Sequence, residues 1–310
     1  MIGIDVGFGD VKAVYLENNE MNYLKIPTAI KYAGANSAGI KEEGIYTFQG
    51  KDYIVGEHAR FGAFSTRSYD FLKRYSGLFV FHVLKTLGIE DGKVGIGLPL
   101  NWYTKKDDFF KELSATVVNG ELLKFEPKLF PQAVGVLLDY RYNIKGELKT
   151  DTDRDGIVLD VGYNTVDVLC FEKGAAVRSD AATIEKFGIS RIIVELTDII
   201  QKEYYFQLSE QETKEIFISG KMKLYGDEKD MSETVRSLIE KYFEELMHTI
   251  EARWESRLQR AEVMLLAGGG AVTLREYMPS SLSKIMAVPI QPEFSNARGY
   301  LKGLIQSETK

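Results

Sequence analysis

Two short segments carry residues suited to phosphate and metal chemistry, and they carry them in the same order. The first is Asp5-Val-Gly-Phe-Gly-Asp-Val-Lys12 and the second is Asp160-Val-Gly-Tyr-Asn-Thr-Val-Asp167. In each, an apolar strand runs into an aspartate, then a glycine-containing turn, then an alternating apolar run. That is the pattern of a β-hairpin with a tight loop. Glycine lets the backbone come close to a ligand and aim N–H groups at phosphate oxygens, so Gly7, Gly9 and Gly162 are placed to line such a site. Asp5 and Asp160, at the ends of their strands, are placed to hold Mg2+ through water, the way that ion prefers to bind. Lys12 would reach the phosphates as a point charge, although a lysine at this place reads equally as a surface residue. A third segment, Gly268-Gly-Gly270, follows the apolar run Val263–Ala267 and precedes a helix that Thr273 could cap. A glycine run alone is only a tight connection; beside the paired hairpins it suits close approach of a nucleotide.

A single Asp-x-Gly turn is most simply a hairpin. Repetition changes that reading. Ile2/Ile157, Asp5/Asp160, Val6/Val161, Gly7/Gly162 and Val11/Val166 are identical pairs, set half the chain length apart in 310 residues. Such a repeat dictates architecture, and two copies mean a duplicated domain. Strands alternate with helices, so the expected fold is α/β with two lobes. The positioning elements expected are a buried strand over 93–99, a helix over 130–140 with Pro131 in its first turn, and a helix over 189–205. Asp230-Met-Ser-Glu233 reads as a capping arrangement opening a long helix, with Val235, Leu238, Ile239, Tyr242, Phe243, Leu246, Met247, Ile250 and Trp254 on its apolar side. That stripe is wider than a heptad seam, so the helix packs on a core. Stretches 32–64 and 208–230 are more polar and read as insertions, one in each half. The halves are expected to join through helices and to move as a hinge.

Composition narrows the function classes. Lys and Arg number 39 against 45 Asp and Glu, a net charge of -6, which argues against direct nucleic-acid binding without a basic partner. One cysteine, Cys170, forms no internal disulfide and suits a reducing cytoplasm; it reads as a small buried residue. His58, His82 and His248 are too scattered for a metal cluster. No apolar stretch approaches the ~20 residues of a membrane span, so neither membrane nor dedicated transition metal is expected. P-loop, nucleophile-elbow and HExxH motifs are lacking. The carboxylates Asp5, Asp10, Asp160 and Asp167 could also be read as a glycosidase set, which nothing else supports.

These motifs resemble the actin, Hsp70 and sugar-kinase superfamily of ATPases, and within it the bacterial and archaeal actin-like proteins of the ParM/StbA type. Asp160-Val-Gly-Tyr-Asn-Thr-Val-Asp167 resembles their second phosphate loop, D-x-G-x-x-T-x-D, and Asp5–Lys12 their first. Leu266-Ala-Gly-Gly-Gly-Ala271 is similar to their adenosine motif. Gly97-Leu-Pro-Leu-Asn101 and Pro131-Gln-Ala-Val134 are similar to actin segments. Ser295-Asn-Ala-Arg-Gly-Tyr-Leu-Lys-Gly303 resembles the small-residue helix that crosses between the halves. The resemblance implies a duplicated ribonuclease H-like actin fold, with a nucleotide cleft between two lobes. Lobe I would be 1–152, with an insertion about 28–75, completed by a helix over 295–310; lobe II would be 153–294, with an insertion about 206–231.

It further implies that Asp5 and Asp160 position Mg2+ and the attacking water. Gly7, Gly9, Lys12, Gly162, Asn164 and Thr165 would bind phosphates, Gly268, Gly269 and Gly270 would flank the adenosine, and Gln132 would orient the water, with Glu126 the weaker candidate. Arg191, Lys214 and Glu215 are the side chains suggested for the purine pocket. Tyr163 departs from the pattern, standing where a small residue is common. The implied function is an ATPase, with GTP as the alternative nucleotide, that polymerises with itself and serves plasmid segregation, through a DNA-binding adaptor, or a prokaryotic cytoskeleton. Two competitors share the fold: a small-molecule kinase using Asp139 or Asp167 as base, and a chaperone-like nucleotide switch.

Overall fold

The computed structural model describes residues 1–34, 44–60, 62–64 and 66–308; parts of the expected 28–75 insertion and the end of the 295–310 helix lie outside them. Two five-stranded sheets form its frame. The first contains β1 (Ile2–Val6), β2 (Asp10–Glu17), β3 (Glu20–Pro27), β4 (Lys93–Leu98) and β5 (Glu126–Pro131), in the spatial order β3-β2-β1-β4-β5. The second contains β6 (Gly156–Val161), β7 (Thr165–Glu172), β8 (Ala175–Glu185), β9 (Val263–Ala267) and β10 (Met286–Ala287), in the order β8-β7-β6-β9-β10. Order and direction agree strand for strand: an antiparallel meander first, then two parallel additions. Register agrees too. Asp5 lies opposite Lys12 across β1 and β2, and Asp160 lies opposite Asp167 across β6 and β7. The repeat read from the sequence is thus a repeat of whole sheets.

Helices cover the sheets. Ahead of β4 comes α1 (Tyr69–Thr86), whose N-cap Ser68 accepts from the Phe71 amide at 3.1 Å, satisfying one of the orphan donors of a first turn. Its Leu72, Leu78, Phe79 and Val83 pack on Ile4, Val94 and Ile96. α2 (Val134–Arg141) follows β5, α3 (Ser190–Tyr204) follows β8, and α4 (Glu210–Ser219) opens with a capping box of Ser209 and Glu212. The long α5 (Ser232–Arg260) precedes β9 and buries all nine of the apolar residues expected on its inner face, each contributing roughly 1.5–3 kcal/mol of transfer free energy. It kinks at Trp254, the one residue of non-helical backbone, whose indole donates to the Asp180 carbonyl at 3.3 Å. α6 (Ser295–Glu308) closes the described chain.

Helices α2 and α6 cross and trade sheets. Ala133, Val136 and Leu137, at and just before α2, pack on Val158, Leu169 and Val263 of the second sheet. From α6, Ala297 and Leu301 pack on Val14 of the first. The crossing is glycine-on-glycine: a Cβ on Gly299 would stand 1.7 Å from the Gly135 carbonyl oxygen. It is also pinned by buried charge. The Arg298 guanidinium donates to both oxygens of Asp139 at 2.7 and 2.9 Å, and the Lys302 ammonium reaches the same carboxylate at 2.7 Å.

Three local expectations are corrected. Residues 130–131 belong to strand β5, and the helix starts only at Val134. A residue before proline is pushed toward extended backbone, which keeps Phe130 in the strand, and an edge strand tolerates the missing N–H of Pro131. The Asp230-Ser232 contact exists, Ser232 donating its amide to the Asp230 carboxylate at 2.9 Å, but Met231 sits at the N-cap with no side-chain bond. Thr273 caps nothing: it lies inside the short helix Ala271–Leu274, which Gly270 precedes. The polar stretches are structured as small additions. Strands Ile30–Tyr32, Ile45–Phe48 and Lys51–Val55 join 117–122 in an antiparallel sheet, and Lys221–Leu224 pairs with Asp227–Asp230.

Candidate nucleotide cleft

Each strand end brings its aspartate to the gap between the two sheets. Asp5 and Asp160 are both buried, and each is held by an amide from an element that belongs to neither hairpin. Gln132, just past β5, donates to the Asp5 carboxylate at 3.0 Å. Asn296, in the first turn of α6, donates to Asp160 at 2.6 Å and accepts the Ala133 N–H at 3.2 Å. Ala133 makes this turn with a left-handed φ of 61°, which costs a non-glycine residue on the order of 1 kcal/mol. Backbone strain at this one residue therefore sets Gln132 beside one aspartate while anchoring the amide that holds the other.

Crowding sets the electrostatics. Burial raises the Asp5 carboxyl, against the pull of Lys12 and the Gln132 amide. Burial, with the Asp5 charge second, pushes Asp160 up to about 6. Asp167, buried and facing Asp160, is pushed up to about 7. It accepts from the Leu100 amide at 3.2 Å and from the Thr183 hydroxyl. Three buried carboxylates with one nearby lysine favour a cation. Among the described residues no cluster of three or more His, Cys, Asp or Glu forms a ready metal cage. Asp5 and Asp160 are the kind of donor pair that Mg2+ would use, since that ion keeps most of its waters and would take phosphate oxygens for the rest.

The turns themselves are braced from behind. The Thr28 hydroxyl donates to the Gly7 carbonyl at 2.6 Å, the Thr28 amide to Gly9 at 3.1 Å, and the Thr66 hydroxyl to Phe8 at 2.6 Å. Beside them lies a cavity of about 320 Å³ bordered by Lys12, Gly162, Lys214, Gly269 and Gly270 and by the apolar Ile239 and Val272. Of the glycine run, Gly269 has open space where a Cβ would stand, whereas Gly268 (φ 82°) and Gly270 press on Val161, with Cβ positions 2.3 and 2.5 Å from its atoms. Their shared job is to let the run lie flat against the second hairpin.

The remaining candidate residues are dispersed. Thr165 is buried, its carbonyl accepting from the Gly162 amide at 2.9 Å. Asn164 borders a different cavity, of about 510 Å³, with Arg67, Lys186 and Arg191. Glu126 starts β5, at the far end of the strand from Gln132, and is exposed. Of the suggested purine-pocket side chains only Lys214 borders the central cavity; Arg191 pairs with Glu245 and stacks on Phe187, and Glu215 pairs with Arg60 at 2.7 Å. Asp139, tied up in the helix crossing, has its carboxyl held low by Arg298 and Lys302 against burial.

A set of contacts that motif reading missed ties the two halves together beside the cavity. Tyr163 lays its ring on Gly9, whose Cβ would be 2.8 Å away, and its hydroxyl donates to Glu210 at 2.7 Å. Glu210 pairs with Arg67 at 3.1 Å, and Lys214 with Asp10 at 2.7 Å. Tyr163 packs against the cores of both sheets. The place usually given to a small residue is here an aromatic strap. Lys25, opposite Lys12 across β2 and β3, stands 3.8 Å from Asp10.

Two repeated sheets, aspartates at matching hairpin turns and exchanged crossing helices make up the two-lobed actin fold. Two family models match in chain order: the actin like proteins N terminal domain over residues 3–135, and the archaeal actin homologue MreB-like, C-terminal, over residues 158–279. Among solved structures, a ParM filament from Clostridium botulinum is 20% identical over 97% of each chain, with a TM-score of 0.76. The archaeal actin homologue Ta0583 is 20% identical over 99% of each chain at 0.78. ParM of Bacillus thuringiensis, solved with AMPPNP, is 16% identical over 99% of each chain at 0.67. No curated protein sequence matches the chain. The two models between them span most of the chain, the first half matching that of the actin-like proteins and the second that of the archaeal MreB-like actin homologues, and the solved structures share its fold.

Proposed function

We propose that the cleft binds Mg-ATP, with GTP the alternative, and that slow hydrolysis there times the assembly and disassembly of a homopolymer. The observation that carries this reading is the convergence of Asp5 and Asp160 from matching hairpins, with the Gln132 amide 3.0 Å from Asp5. Lys12 and the glycine turns at Gly7, Gly9 and Gly162 would bind phosphates from two sides, assisted by Asn164 and Thr165, and Gly268–Gly270 would flank the adenosine. Asp5 and Asp160 would hold the hydrated Mg2+, which supplies charge for the phosphate oxygens. With its NH2 committed to Asp5, Gln132 keeps its carbonyl oxygen free to accept a hydrogen from the attacking water. An amide is a poor base, so it positions rather than deprotonates, and turnover is slow.

In this reading lobe I is 1–152 completed by 295–310, lobe II is 153–294, and the crossing of α2 and α6 is the hinge. An open head-to-tail interface would build the filament. The net charge of -6 calls for a basic adaptor if the cargo is plasmid DNA; a cytoskeletal role would dispense with it. Among the described residues no helix is long and apolar enough to cross a membrane, and the lone buried Cys170 suits a reducing cytoplasm. The kinase alternative loses one of its two candidate bases, because Asp139 is locked in the helix crossing.

The test is right-angle light scattering on adding Mg-ATP, with phosphate release followed in parallel and Asp160→Ala as control. Scattering that rises with nucleotide and decays as phosphate appears is the expected result. ATP binding without any scattering change, over a wide range of protein and salt concentration, would sink the polymer. Binding without phosphate release would leave a nucleotide switch.

A further inference from the structure

Tyr300, on α6, is fully buried, yet its hydroxyl has no hydrogen-bond partner among the described residues. A buried polar group left unpaired is destabilising, and Phe would fill the same space without that cost. The surroundings show that room for this side chain is provided deliberately. Gly95 and Gly97 of β4 and Gly135 of α2 all lack the Cβ that would strike it, at 2.9, 1.9 and 2.5 Å, and the ring stacks on Phe130 at 5.3 Å. The atom closest to the missing Gly97 Cβ is the hydroxyl oxygen itself.

That position fixes where the hydroxyl points. Gly3 faces α6, its Cβ site lying 1.9 Å from the Ala297 carbonyl oxygen, and alternation along β1 puts Asp5 on the same face. Ile4 pairs with Ile96 in parallel register, so Asp5 and Gly97 are next-door neighbours about 4.8 Å apart across adjacent strands. The hydroxyl over Gly97 therefore lies beside the Asp5 carboxylate, one helical turn from Asn296, which grips Asp160. Burial first, and then the charges on Asp5, Asp160 and Asp167, raise the Tyr300 phenol well above its ordinary value, so it stays a donor.

We propose that Tyr300 is a positioning residue whose hydroxyl holds a water against the Asp5 and Asp160 carboxylates, on the α6 side of the cleft floor. The ligand is a water that the nucleotide-free cleft already holds, and it joins the hydration of the divalent cation and phosphates when they bind. The inference rests on the nucleotide reading of the cleft. Tyr300 touches no phosphate; it acts through that water, fixing the hydration that the aspartates and Gln132 share.

Tyr300→Phe keeps the ring and its stacking and removes one oxygen. The first measurement needs no nucleotide turnover: thermal unfolding of the nucleotide-free variant against wild type. A hydroxyl bonded through water makes the variant less stable, with Tm lower by about 2 °C. An equal or higher Tm means a dry, idle hydroxyl and overturns the proposal. The second measurement separates rate from binding. Expected is a tenfold fall in phosphate-release kcat with the Mg-ATP Kd unchanged; a fall in both, or in neither, overturns the positioning role. If the wild type releases no phosphate, the hydrolysis reading fails by itself, and the unfolding comparison still decides whether Tyr300 holds a water.

Discussion

Lys12 and Asp167 occupy the same place in the two hairpins, each directly across from its strand-end aspartate, and that difference makes the cleft electrostatically lopsided. Asp5 has a cation beside it; Asp160 has a second carboxylate. With a folded value of about 7 against about 3.9 in an unfolded chain, Asp167 binds a proton more readily folded. Its contribution to stability is therefore full at low pH and is lost as pH rises toward 7. Asp167→Asn, whose amide oxygen can still accept from Leu100 and Thr183, removes that loss. Its Tm advantage over wild type should grow between pH 5 and pH 8 in parallel melts; a pH-independent difference would refute the assignment. If Gln132 positions the attacking water as proposed, Gln132→Ala should slow single-turnover phosphate release by about 10²-fold, the scale of a misplaced reactant, while Mg-ATP binding holds. The matched placement of the two aspartates and the approach of Gln132 to Asp5 were legible in the sequence, because a motif repeats or resembles a known one. Asn296, Thr28 and Thr66 were not assigned roles: a lone polar residue signals nothing until folding brings it within 2.6–3.2 Å of its partner.

At the scale of the element, the crossing of α2 and α6 sets the tolerance of the whole frame. Gly299→Ala would drive a methyl to 1.7 Å from the Gly135 carbonyl oxygen, and overpacking against backbone costs about 1–3 kcal/mol or more. Gly269→Ala meets open space and has no positive φ, so its stability should match wild type and any effect should appear in nucleotide affinity. Chemical denaturation of the two variants side by side distinguishes them; equal losses would contradict the packing argument. Asp139→Ala leaves Arg298 and Lys302 buried and unpaired, a loss of about 3–5 kcal/mol, readable in the same experiment. Helix α5 was legible from its apolar period, since nine apolar residues at three- and four-residue spacing fall on one side of a helix and on both faces of a strand. The strand-to-helix change at Phe130 was not, because a run of apolar residues around a proline suits either, and the edge position of β5 is a tertiary fact. The capping box at Ser209 went unnoticed inside a stretch whose polarity suggested irregular chain.

For the whole molecule, the duplicated α/β architecture was the most legible feature, since matched residues half a chain apart have few causes but duplication. How the halves meet was not legible. Tyr163, Glu210, Arg67, Lys214 and Asp10 are far apart in sequence, and only the assembled sheets make them one strap. Glu210 does not border the central cavity, so Glu210→Ala loosens the strap without touching the site. Removing a hydrogen-bonded charge pair weakens it by about 1.5–3 kcal/mol, and each 1.4 kcal/mol is tenfold. Release of a fluorescent ATP analogue should speed up by at least about tenfold in a chase with unlabelled ATP; an unchanged rate would show that the strap does not gate exit.

The exchange of α2 and α6 also has a consequence in time. A ribosome delivers the first sheet complete once Pro131 emerges, yet the helix that seals one face of it, with Ala297 and Leu301, comes from the last fourteen described residues. The face bearing Gly3, Asp5, Gly95 and Gly97 stays unsealed while the whole second sheet is made. The N-terminal half made alone thus keeps that face bare, and the docking of α6 closes the core and the floor of the cleft together.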